Sequence, residues 1–197
     1  MKPVLVVYAT REGHTHRVAD HIAELLHKRD YETAVVDAKQ VAPPVELGNY
    51  CAVIVAASVH MGKHEPEIVT FVRGHRETLS EMPAAFLSVS LAEAGAEDGS
   101  TPQPERDRAI THVHETLDRF FSQTEWHPEH VRPVAGALMY SKYGWLVKWV
   151  MKRIARRTGA STDTSRDHVY TDWKKLDEFV EEFVTKEVNP TQNFRVM

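Results

Sequence analysis

The sequence predicts an α/β protein, a doubly wound, five-stranded parallel sheet of order 2-1-3-4-5 with helices on both faces. Three observations carry this reading. Short apolar runs alternate with longer stretches of helical periodicity, as in a parallel sheet covered on both sides. The first run, VLVV, passes through a glycine-containing loop straight into a helical pattern. The third run ends in small and polar residues, where such sheets collect ligands beyond their carboxyl ends.

Each element has its own signal. Val4 to Tyr8, Thr33 to Asp37, Ala52 to Ala57, Ala85 to Val89 and Val134 to Met139 are the expected strands. Val18, Ile22, Leu25 and Leu26 recur at helical spacing, as do Ile110, Val113, Leu117, Phe120 and Phe121. Pro66 suits a helix first turn, with Ile68, Val69 and Val72 facing inward. The string EAGAEDGSTPQPE after the fourth strand reads as a long solvated loop, and nothing in residues 92–105 specifies whether it closes over a ligand. Trp173, Leu176, Phe179, Val180, Phe183 and Val184 form the stripe of a last helix, capped by Thr171 or Asp172.

A chain of 197 residues is long enough for one sizeable core, so residues 1–188 are expected to form one domain and 189–197, without a core pattern, a flexible tail. A net charge of -4 gives no global attraction to nucleic acid. One cysteine, Cys51, excludes a disulfide framework and fits a reducing compartment. No run approaches the roughly 18 apolar residues of a membrane span. The expected location is cytoplasmic, or peripheral on the inner face of the cell membrane, and no pattern specifies an oligomer.

The loop Thr10-Arg11-Glu12-Gly13-His14-Thr15 aims backbone N–H groups and the positive end of a helix at one point. It lacks the Lys-Ser/Thr ending of a Walker loop and the triple glycine of a dinucleotide fingerprint. Threonine hydroxyls and free amides suit a terminal monophosphate such as that of FMN. On spacing alone, a strand-to-helix turn capped by Thr15 serves equally well. Metal binding by His60 and His64 is not expected, because Pro66 starts its helix after the pair; surface histidines are the commoner case. No Ser-His-Asp or Cys-His constellation is readable, and Cys51 reads as a packed small hydrophobe.

VVYATREGHTHRVADHI resembles the flavodoxin signature at each defining position: two aliphatics, an aromatic, a hydroxyl residue, a small residue, Thr, then Ala and an aliphatic. That resemblance implies that Thr10, Arg11, Gly13, His14 and Thr15 hold the FMN phosphate. It further implies that Ser58, Val59, His60, Met61 and Gly62 lie along one side of the isoalloxazine ring, with Ser90, Leu91 and Ala92 on the other.

FLSVSLAEAG, AGALMYSKYG and VYTDW together resemble the menaquinone-dependent protoporphyrinogen dehydrogenase family over most of the chain, from Val4 to about Val184. The resemblance implies an FMN enzyme of heme biosynthesis that oxidises protoporphyrinogen IX and passes the electrons to a membrane quinone. The family block often carries a basic residue where this chain has Met139 and a proline where it has Ser141, a departure that bears on substrate rather than flavin.

The segment MYSKYGWLVKWVMKRIARRTG adds Lys142, Lys152, Arg153, Arg156 and Arg157 without an intervening acid. It suits substrate carboxylates or an anionic lipid surface, and equally a packed helix with a solvated face. Two alternatives stay open on sequence: a flavodoxin-type electron carrier, against which the basic segment speaks, and an NAD(P)H-dependent quinone reductase.

Overall fold

The computed structural model describes residues 2–40, 45–138 and 167–188. The expected Met139, Lys142, Lys152, Arg153, Arg156, Arg157 and tail lie outside them. Strand β1 (Val4–Ala9) leads to α1 (His14–Lys28) and β2 (Thr33–Asp37). Strand β3 (Ala52–His60) turns back through β4 (Lys63–His64) into α2 (Pro66–Gly74) and α3 (Arg76–Glu81). Strand β5 (Ala84–Ser90) runs directly into α4 (Leu91–Glu97), followed by α5 (Gln103–Thr124) and β6 (His130–Ala135). A short ladder pairs β7 (Ala137–Leu138) with β8 (His168–Val169), and α6 (Trp173–Phe183) closes the described chain with a π turn over Val184–Val188.

Sheet order is β2-β1-β3-β5-β6, all parallel, with β4 folded back on β3. Counted over the five parallel strands, this is the predicted 2-1-3-4-5. Alternation along the strands divides the core in two. Val4, Val6, Ile54, Ala56, Ala85 and Leu87 pack under α1 and α6, where Ile22, Leu26, Val180 and Phe183 meet them. Leu5, Val7, Val53, Val55 and Phe86 face the other way, toward Ile68, Val72, Leu117 and Phe120 of α2 and α5. Both halves must be dry because parallel strands leave neither face to water, and β1 from Val4 to Val7 is fully buried.

Three expectations are corrected. The fifth strand begins at His130 rather than Val134 and ends at Ala135 rather than Met139. Pro133 hides its first half, yet β6 is an edge strand, where a missing N–H is tolerated. The long loop after the fourth strand is largely helix, because Ser90 caps α4 by accepting the Glu93 amide at 3.2 Å. Ile110 is 38% exposed rather than inward. It lies in the first half of a 22-residue helix, about 33 Å long, which outruns the seven-residue β5 whose Phe86 stacks on Phe120 of the helix.

Candidate functional site

The carboxyl ends of β1, β3 and β5 open on one edge, where the first predicted loop takes up its geometry. Gly13 has φ +90°, a left-handed conformation that a side chain would strain, and its amide donates to Thr10 Oγ1 at 3.0 Å. Helix α1 starts at the next residue with no acid in its first turn, so its positive end is uncompensated by its own side chains. Thr15 does not cap the helix. It is 1% exposed, and its Oγ1 has no hydrogen-bond partner. A buried hydroxyl left unpaired costs on the order of 1–3 kcal/mol. At a helix start facing a cavity, it fits the oxygen of an absent anion.

His14 serves differently from the expected phosphate donor. It is buried, and its Nε2 lies 2.7 Å from Thr171 Oγ1. The Thr171 hydroxyl spends its one proton on Ala135 O at 2.6 Å, so His14 Nε2–H must be the donor to Thr171. That assigns the tautomer and leaves Nδ1 as an unpartnered buried acceptor. A lone pair repels a phosphate oxygen and suits a hydroxyl instead. Burial, reinforced by Arg17, pulls the imidazole down to about 4, so it is neutral near pH 7.

The other two predicted segments face this loop. Met61 and Gly62 both have positive φ, +51° and +71°, and join the antiparallel pair Val59↔His64 and His60↔Lys63. Positive φ at both central residues is the pattern of a two-residue hairpin with the twist of its strands. Arg119 of α5 donates to Gly62 O at 2.6 Å, and a Cβ on Gly62 would stand 3.2 Å from His112 Cε1. Met61 is 90% exposed at the tip. On the opposite wall, Ser90, Leu91 and Ala92 form the cap and first turn of α4. The Gly136 amide donates to Ser90 O at 2.8 Å, an approach close enough that a Cβ on Gly136 would meet the Ser90 backbone at 3.2 Å.

Arg11 is engaged by a carboxylate of the second loop. Its Nε bonds both oxygens of Glu65, at 3.0 and 3.1 Å, and Ser58 Oγ donates to the same carboxylate at 3.2 Å. The Glu65 side chain is 1% exposed, and Arg11 partners this buried carboxylate while tying the first loop to the second. His64 is likewise structural: buried, 2.8 Å from Ser88 Oγ, and edge-on to Phe120, with burial pulling it down to about 3. The expectation of surface histidines thus fails for His64, which is held by Ser88, 24 positions away in the chain. Among the described residues, no cluster suits a metal ion.

Three cavities meet at His60, which precedes the Met61 turn. One of about 70 Å³ lies between Thr10, Thr15, Ser58 and Ser90. A second of about 210 Å³, mostly apolar, runs from His60 and Gly62 past Leu91 to His112 and Thr116 of α5. The third is an open groove of about 840 Å³ on the α2 side. Sequence reasoning missed Glu65, His112 and Gly136, and read Thr171 as a helix cap rather than as the partner of His14. Glu65 alone left a trace, as a carboxylate directly before the helix-starting Pro66 and near a candidate anion loop.

A family profile described as a flavodoxin domain matches residues 5–165. The chain is 30% identical over 187 residues to a protoporphyrinogen IX dehydrogenase [quinone] of Escherichia coli (strain K12), covering 95% of this chain and 97% of that one. A protein of the same description from Leishmania major is 32% identical over 180 residues, covering 91% and 73%. Oxidised flavodoxin 1 from Bacillus cereus superposes with a TM-score of 0.52 at 17% identity, covering 93% and 97%, which shows the common fold. Loop, sheet order and sequence agree: the chain belongs to the flavodoxin-domain family and, within it, to the quinone-linked protoporphyrinogen IX dehydrogenases.

Proposed function

We propose that this protein binds FMN at the carboxyl edge of its sheet and oxidises protoporphyrinogen IX to protoporphyrin IX in repeated two-electron steps, with a membrane quinone such as menaquinone as acceptor. One observation carries the flavin assignment: the buried, unpartnered Thr15 hydroxyl at the start of α1, beside the left-handed Gly13. Thr10, Gly13 and Thr15 would hold the phosphate through hydroxyls and amides. His14 Nδ1 would accept from a neighbouring hydroxyl of the same ligand. The turn from Ser58 to Gly62 and the start of α4 at Ser90, Leu91 and Ala92 would bracket the ring. Bound there, a flavin supplies reversible acceptance of an electron pair with protons, chemistry that no side chain offers. The chain's own part is to position and to shield.

The names of its relatives support the substrate and acceptor. No helix among the described residues is long and apolar enough to cross a membrane. Lys142, Lys152, Arg153, Arg156 and Arg157 support contact with anionic lipid.

The test is anaerobic addition of protoporphyrinogen IX to the flavin-loaded protein. Bleaching of the flavin band, growth of porphyrin fluorescence, and recovery of the band on adding a menaquinone analogue are expected. A flavin that stays oxidised with this donor, yet bleaches with NAD(P)H or a reduced protein, overturns the substrate assignment and leaves the cofactor standing.

A further inference from the structure

The largest of the three cavities lies on the α2 side of the hairpin, sharing His60 with both smaller ones and Met61 with the cavity of about 210 Å³. Its chemistry is divided. Met61, Pro66 and Val69 give an apolar floor, while Arg11, Lys63 and Arg73 place cations around it. Arg11 is committed to Glu65, but Lys63 and Arg73 are exposed and have no carboxylate partner among the described residues. The acid on the groove's rim, Glu125, pairs with Arg76 and does not neutralise it. Lys63 ends the hairpin, and Arg73 stands seven residues beyond Pro66, about 10 Å along α2.

We propose that this groove, with Lys63 and Arg73 as its specificity-determining cations, is the docking site for a tetrapyrrole bearing two propionates. The inference rests on the porphyrinogen reading above and adds where and how that substrate is recognised. A tetrapyrrole needs a broad apolar floor and a cation for each carboxylate. The volume of about 840 Å³ lies in the range of small-molecule sites, whereas the cavity of about 210 Å³ falls below it. Among the described residues, Met61 is one of three large hydrophobic side chains standing in water, and its backbone is held in a conformation rare for methionine. It belongs to both the groove and the flavin-side cavity, so a macrocycle on the groove floor would approach the ring position across it. Lys63 and Arg73 would then hold the propionates by charge-assisted hydrogen bonds.

The experiment compares protoporphyrin IX with its dimethyl ester, which keeps the macrocycle and lacks both charges, binding to the FMN-loaded protein as read by the Soret shift. The wild type is expected to prefer the diacid by about tenfold or more. In Lys63→Gln/Arg73→Gln that preference collapses, the ester's dissociation constant is unchanged and FMN affinity is retained. Lys28→Gln, at the far end of α1, keeps the preference. Equal binding of diacid and ester by the wild type overturns the proposal. So does a preference that survives in the double variant but vanishes in Lys152→Gln/Arg153→Gln/Arg156→Gln/Arg157→Gln. Charge-selective binding through Lys63 and Arg73 without oxidation of protoporphyrinogen IX upholds the groove while overturning the proposed activity; oxidation with unselective binding does the reverse.

Discussion

Thr15 and His14 are adjacent and both buried, yet their orphaned atoms ask for opposite partners. The Thr15 hydroxyl still has a proton to give, and His14 Nδ1 has only a lone pair. Thr15→Val keeps the shape and removes an unsatisfied buried group. The flavin-free protein should melt at the same or a higher temperature, while FMN binds about 10–100-fold more weakly. Calorimetric melting and flavin titration check the pair of outcomes, and a stability loss without an affinity loss contradicts the assignment. Titration adds a second test. His14 and His64, lowered to about 4 and about 3 from 6.5, refuse protons that the unfolded chain accepts, so stability falls as pH drops below about 6.5. Each contributes a slope of up to about 1.4 kcal/mol per pH unit. Glu93 opposes them: burial and the Glu97 carboxylate raise it from 4.5 to about 7, so its contribution is present at low pH and lost as pH rises between those values. Glu93→Gln should therefore stabilise the protein at pH 8 relative to wild type and change little at pH 4, as denaturant titration at the two pH values will show.

Strands and helices were legible wherever burial forces a pattern. β1, β3 and β5 are apolar at nearly every position because helices cover both faces, and the stripe of α6 is plain because one face meets the core. Legibility failed at the seams. Pro133 broke the pattern of an edge strand, and the Ser90 cap turned a polar string into α4. The seam between β6 and β5 also governs the site. Gly136 lies against the Ser90 backbone, and peptide groups cannot swing aside as a flexible side chain does. Gly136→Ala should cost about 1–3 kcal/mol in denaturant unfolding and weaken FMN binding by displacing the start of α4. Gly48→Ala, with nothing within 4 Å of its new methyl, is the control and should do neither.

Across the molecule, the ligand edge gathers groups that lie far apart in the chain: the β1–α1 loop, the β3–β4 hairpin, the start of α4, and Thr171 beneath His14. An edge held together in this way should be tightened by its ligand. FMN at a hundred times its dissociation constant should add about 2.7 kcal/mol, a rise of roughly 5–10 °C in melting temperature, and stripping the flavin should reverse it. A melting temperature indifferent to FMN would count against the site. The alternation of strands and helices and the loop from β1 into α1 could be read directly from the amino acids, because apolar periodicity and a loop between strand and helix are local in the chain; the flavin roles of that loop and of the two flanking segments came from family resemblance. Residue roles were not local. The Arg11–Glu65 pair spans 54 positions, His14 and Thr171 are 157 apart, and the groove joins β4 and α2 to the end of α5. Which cation is bound, which nitrogen carries the proton and which hydroxyl is left unpaired depend on partners brought together only by folding, so the tertiary structure alone decided them.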